Sequence, residues 1–214
     1  MAITYTRNEE RANYLTHSLG VIIILIAFVY FISKVHYAAN PYMYIAGFLL
    51  YAFGALSSYL ASALYHSSPF NSNKRGRLRK LDHAAIYWHI AGSYSPITLA
   101  GMYERQEWGW GLFITIWLCA VLGSFVSFKG LKEHSNVETA CFVAMGLLVL
   151  LAFNVVLDCI GWGSMQWILA EGASFIIGAV FYSFNKIKYM HTVFHVFVLL
   201  GSIFHILAMY YMLH

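Results

Sequence analysis

His191 and His195, four residues apart near the C-terminus, are the side chains in this sequence best spaced for chemistry. On a helix that spacing places both imidazoles on one face, one turn apart, which suits two ligands on one metal ion. An HxxxH pair alone serves packing as readily as metal binding. A third histidine, His66, shifts the balance if the chain brings it to the same depth. Three neutral imidazoles at about 2.0–2.1 Å fill three corners of a zinc tetrahedron. No cysteine or further carboxylate is obviously placed to close the fourth corner, and an open position marks a catalytic rather than a structural zinc site. Asp82 reads in two ways: as a group that orients a ligand or accepts a hydrogen bond from metal-bound water, or as a helix N-cap before an apolar run. Ser62 precedes His66 by one turn on the same face. Its hydroxyl can point into the same space, although serine is also a common contact residue between membrane helices.

Whether these residues meet depends on the elements that carry them. The 214-residue chain is 60% hydrophobic and 10% charged, with a mean hydropathy of +0.64, against roughly a quarter charged in soluble domains. Too few charges are present to coat a soluble core of this size, so the composition points to a membrane protein. A bilayer core of about 30 Å needs about 20 apolar residues of helix. Seven such windows appear, at 17–36, 43–66, 82–101, 108–127, 138–157, 164–184 and 190–213, predicting a single all-α, seven-transmembrane helix bundle. The tightest break falls at residues 185–189. No internal repeat and no soluble domain stand out, and Arg7, Glu9, Glu10 and Arg11 lead into an apolar run that reads as an anchor rather than a cleaved leader. Cys119, Cys141 and Cys159 are scattered singly and read as buried packing residues.

With seven spans, the N-terminus shares a side with the connections after the second, fourth and sixth. That side holds Arg7, Arg11, Lys74, Arg75, Arg77, Arg79, Lys80, Lys129, Lys132, Lys186 and Lys188, leaving only Lys34 and Arg105 opposite. Basic residues stay on the cytoplasmic side, so the N-terminus is expected inside and the C-terminus outside. The run KRGRLRK at 74–80 is read chiefly as this topology signal; at about 1 kcal/mol per basic residue it could also hold anionic headgroups. The same topology brings His66, Asp82, His191 and His195, from three helices, to the inner leaflet. Deeper ionisable groups are Glu171, His205 and His89. Such groups are costly in a bilayer and need partners. Glu171 and His205 lie at similar depth and are candidates for a contact, while His89 is read as a buried, hydrogen-bonded histidine.

Taken in order, four motifs make the chain resemble the hemolysin III family, the bacterial branch of the progestin and adipoQ receptor superfamily, grouped more widely with alkaline ceramidase-type membrane hydrolases. They are ERANYLTH, with Glu10, Asn13, Thr16 and His17; SALYH, with Ser62 and His66; LDHAAIYWHIAGSYSP from Leu81; and HTVFHVFVLLGSIFH from His191 to His205. The resemblance implies a zinc cofactor on His66, His191 and His195, with Asp82 holding the metal-bound water and Ser62 beside it. Glu10, Asn13, Thr16 and His17 are expected to cap and hydrogen-bond around the site. Glu171 departs from the pattern, which leads one to expect a small residue there.

The leading functional expectation is a zinc-dependent hydrolase of a lipid amide or ester, acting in membrane lipid homeostasis in the bacterial plasma membrane. Asp82 would be its general base and Ser62 would hydrogen-bond the developing oxyanion. The competing expectations are a seven-helix receptor or sensor with structural zinc, a pore-forming hemolysin and an ion transporter. Short loops without an export signal speak against the pore. The expected partner is a membrane lipid, not a nucleic acid.

Overall fold

A computed structural model describes residues 5–130, 136–184 and 186–214; Lys132 of the charge count and Asn185 of the last break lie outside them. Among the described residues all regular structure is helical: α1 (Arg7–Lys34), α2 (Pro41–Ser67), α3 (Arg75–Pro96), α4 (Gln106–Gly130), α5 (Asn136–Gly146), α6 (Phe153–Ser183) and α7 (Met190–Leu213). Among the described residues, five segments are long and apolar enough to cross a membrane: Arg7–Tyr37, Pro41–Ser67, Tyr103–Lys129, Val137–Ser183 and Met190–Leu213. The chain is thus a multi-pass membrane protein. Leu15, Ile26, Val29, Leu122 and Leu151 stand exposed on its outer faces, as lipid contact requires.

Two differences separate these five segments from the seven windows. The charged start of α3 keeps that helix out of the apolar set. The fifth and sixth windows merge into one 47-residue stretch, which as straight helix would reach about 70 Å, more than twice a bilayer core. It is not straight. Gly161 has φ 70° and ψ 167°, a conformation open essentially to glycine alone, and interrupts α6 there. Before it, Glu138 meets His83 near the start of α3 and Ile160 packs against Gly101 beyond the end of α3; after it, Tyr182 returns to within 5.6 Å of His191 at the start of α7. A second irregularity, the 3₁₀ turn at Leu147–Ala152, has a visible cause. The Tyr94 hydroxyl enters the ladder there, donating to the Gly146 carbonyl at 2.7 Å and accepting from the Val149 amide at 2.9 Å.

Local capping and longer-range contacts fix the ends that matter for the site. Thr6 caps α1 in a capping box: its hydroxyl accepts from the Glu9 amide, and the Glu9 carboxylate accepts from the Thr6 amide at 2.8 Å. α3 begins at Arg75, two turns before the expected start, because Arg75 is anchored rather than solvated. Its guanidinium donates to the Tyr65 and Ser68 carbonyls at the end of α2 and to Glu10 of α1. Asp82 is therefore inside α3, and the N-cap reading falls. α2 and α3 pack closely through glycine; a Cβ at Gly54 would run into the Trp88 carbonyl oxygen. The cysteines also correct an expectation. Cys141 is exposed and Cys119 and Cys159 are half-buried, because an apolar thiol on a bundle's outer face can rest against lipid.

Candidate metal centre and cavity

His66 is the penultimate residue of α2, and α7 begins one residue before His191. The end of one helix and the start of the other thus bring three imidazoles together, with all three ligand nitrogens within 4.8 Å of one another. His191 Nε2 lies 3.2 Å from His66 Nε2 and 3.0 Å from His195 Nε2. A tetrahedral ion with bonds of about 2.0–2.1 Å holds its ligands about 3.3 Å apart. Those two spacings fit such an ion.

Protonation gives a second, independent test of fit. His66 Nδ1 is 2.6 Å from Glu10 Oε2, and His195 Nδ1 is 3.3 Å from the Asn13 carbonyl. Carboxylate and carbonyl only accept, Asn13 Nδ2 stands farther from His66 Nδ1 at 3.5 Å, and the Thr16 hydroxyl near His195 Nδ1 gives its hydrogen to backbone carbonyls at 2.9 Å, so both Nδ1 atoms carry the hydrogen. The Nε2 atoms of His66 and His195 are left as lone pairs, both facing His191 Nε2. One N–H on His191 can satisfy at most one of them well, whereas a cation satisfies all three. Three imidazoles, two of them fixed through Nδ1 by carboxylate and carbonyl, are a donor set that could hold a transition-metal ion such as zinc.

The other N-terminal motif residues surround these rings. Asn13 Oδ1 accepts from the Thr192 hydroxyl at 2.5 Å; Thr16 Oγ1 lies 3.4 Å from His195 Nδ1 and donates to the Ala12 and Asn13 carbonyls; His17 stacks on His195 with ring centroids 3.6 Å apart. Hydrogen bonding is thus what Glu10, Asn13 and Thr16 do here, and helix capping falls to Thr6 and Glu9. Glu9 also accepts from the Tyr189 amide at 2.9 Å, holding Tyr189 in the left-handed region at φ 63° where it caps α7. That bond sets the angle at which the helix bearing two of the three histidines begins.

Asp82 and Ser62 lie beside the imidazoles. Both line a cavity of about 420 Å³ that also touches His17, His191 and His195. Ser62 is buried, and its hydroxyl has no partner of hydrogen-bonding geometry among the described residues, although Asp82 is near enough to interact. From this polar end the cavity runs past His89 and Glu171 to Ile97, Leu112 and Val156, walled mainly by apolar side chains and without a Lys or Arg among its described lining residues. The expected deep contact is present: His205 Nδ1 donates to Glu171 Oε2 at 2.8 Å. His89 is buried and pairs with Ser202 at 3.3 Å, as a packed histidine should.

Sequence reasoning passed over Glu9, Arg75, Thr192 and the pair His83–Glu138. The Thr6-x-x-Glu9 spacing is a capping-box signature and pointed to Glu9. A carboxylate at the edge of an apolar window pointed to Glu138. For Arg75 and Thr192 no local signal exists, since their partners are distant in sequence.

A family model described as haemolysin-III related matches residues 5–206. Hemolysin-3 of Bacillus cereus is 32% identical over 197 residues, covering 91% of this chain and 87% of that protein. A hemolysin-3 homolog of Bacillus subtilis is 30% identical over 200 residues, covering 92% and 91%. More distantly, an adiponectin receptor protein of Drosophila melanogaster is 24% identical over 224 residues, covering 92% of this chain and 49% of that protein.

Proposed function

The chain belongs to the haemolysin-III family, and from that premise we propose that it is a zinc-binding, seven-span membrane protein that hydrolyses an amide or ester of a membrane lipid. The observation that carries this reading is the convergence of three imidazole nitrogens at the polar end of a long apolar cavity, beside Asp82 and Ser62. The return of the chain at Gly161 supports seven crossings, and the basic residues clustered at the imidazole end support a cytoplasmic side for that end and for the N-terminus.

His66, His191 and His195 would hold the zinc, which supplies a Lewis acid for polarising the scissile carbonyl and activating water at neutral pH. Glu10 and the Asn13 carbonyl hold two of the three rings in the ligating tautomer. Asp82 takes the proton from the attacking water as general base. Ser62 Oγ, on the cavity wall beside Asp82, donates to the oxygen on which charge develops. The apolar cavity receives the acyl chain and excludes water from it. No lysine or arginine stands among its described lining residues, which suits an uncharged chain.

The test is acyl release from lipid amides and esters by purified, zinc-containing protein, followed by mass spectrometry. Wild type should release fatty acid, and Asp82→Asn should lose about 100-fold or more in turnover while keeping its metal. Stoichiometric zinc with no release from any amide or ester lipid would remove the hydrolase reading. It would favour instead a receptor in which the metal is structural, a reading to which the receptor-named relative lends support.

A further inference from the structure

A second group with acid–base chemistry opens onto the same end of the cavity. His83 follows Asp82 in α3 and lines the cavity with it. Its Nδ1 is 2.6 Å from Glu138 Oε2 of α5, and Glu138 Oε1 accepts from the Ser127 hydroxyl of α4 at 2.5 Å. Glu138 is 3% exposed, whereas the His83 side chain keeps 20%. A carboxylate accepts only, so Nδ1 carries the hydrogen and Nε2 is the nitrogen left for exchange with a cavity-bound group. This is the arrangement of a histidine base oriented by a buried carboxylate. Asp82 has different support, with His66 and Ser62 of α2 within electrostatic reach. Two proton carriers thus flank one cavity, adjacent in sequence and in electrostatic contact with each other.

We propose that His83 is a catalytic residue that delivers the proton to the leaving group, and that Glu138 is its positioning residue. This rests on the hydrolase reading. As water adds to the carbonyl carbon, it loses a proton to Asp82, which passes it to His83 Nε2. When the C–N or C–O bond breaks, the departing nitrogen or oxygen takes that proton from Nε2. The acid product and the neutral amine or alcohol leave, and Asp82 and His83 return to their starting states. A clamp between α3 and α5 would need only a hydrogen bond to Glu138; an imidazole that also opens into the cavity is what a proton carrier requires.

The experiment compares wild type, His83→Gln and Glu138→Gln on three substrates sharing one acyl chain: an amide, an alkyl ester and an activated aryl ester whose leaving group departs without protonation. Zinc content and thermal unfolding are measured on each variant. Expected are retained zinc, about 100-fold slower release from amide and alkyl ester in His83→Gln, a smaller loss in Glu138→Gln, and wild-type rates on the aryl ester in both. Equal losses on all three substrates, or no loss on the amide, would overturn the role of His83 while leaving the hydrolase reading standing. Should His83→Gln fail to fold, the selective loss in Glu138→Gln decides the matter. A zinc-loaded wild type inactive on all three substrates would overturn both.

Discussion

Replacing Glu10 with alanine should weaken zinc binding without touching a ligand. One Glu10 oxygen accepts from His66 Nδ1 at 2.6 Å and the other is engaged by the Arg75 guanidinium, with Glu10 itself 6% exposed. Removing the carboxylate frees the His66 ring to rotate, permits the tautomer with the hydrogen on Nε2, and lowers the basicity of the ligating nitrogen. Loss of such an outer partner costs about 10- to 100-fold in metal affinity, or about 1.4–2.8 kcal/mol. Burial and the double engagement of Glu10 place this variant toward the upper end. Arg75→Lys is the control. It leaves Glu10 on His66 but loses the fork that reaches both Glu10 and the end of α2, so the affinity loss should be smaller while the protein is destabilised. Competition against a chromophoric zinc chelator reads both. If Glu10→Ala binds zinc as tightly as wild type, the carboxylate does not orient His66 toward a metal, and the tautomer argument for the site fails.

Three further outcomes follow from the geometry. Gly161→Ala forces a side chain onto φ 70° and should cost about 1–3 kcal/mol of stability in detergent unfolding; a neutral substitution would mean that the reversal is built differently. A double-mutant cycle on Glu171→Gln and His205→Gln should give a coupling of about 0.5–3 kcal/mol, whereas additive effects would dissolve the pair. Glu9→Ala removes the acceptor of the Tyr189 amide and should speed hydrogen exchange at residues 189–193 ahead of the rest of α7; unchanged protection there would show that this amide does not hold the helix start.

The gathering of His66, Asp82, His191 and His195 was legible because depth in a bilayer is written in hydropathy, and alternation of sides then dictates which helix ends meet. Glu171 and His205 were legible for the same reason, as costly groups at matching depth. The start of α3 was not. A hydropathy window counts Arg75, Arg77 and Arg79 as loop, yet Arg75 is tied down by carbonyls of α2 and by Glu10, contacts that no local pattern records. The turn at Leu147–Ala152 was hidden likewise, since it depends on a tyrosine more than 50 residues away. Cys141 was misjudged because an apolar residue in a membrane helix can face lipid as well as protein.

The most direct measurement is metal content of the purified protein beside His66→Ala, His191→Ala and His195→Ala. The three-imidazole centre predicts about one zinc per wild-type chain, with each single substitution abolishing or sharply reducing it while the helical content stays. A folded wild type that carries no zinc after loading, or three variants that hold it as wild type does, would contradict the centre from which the rest is built.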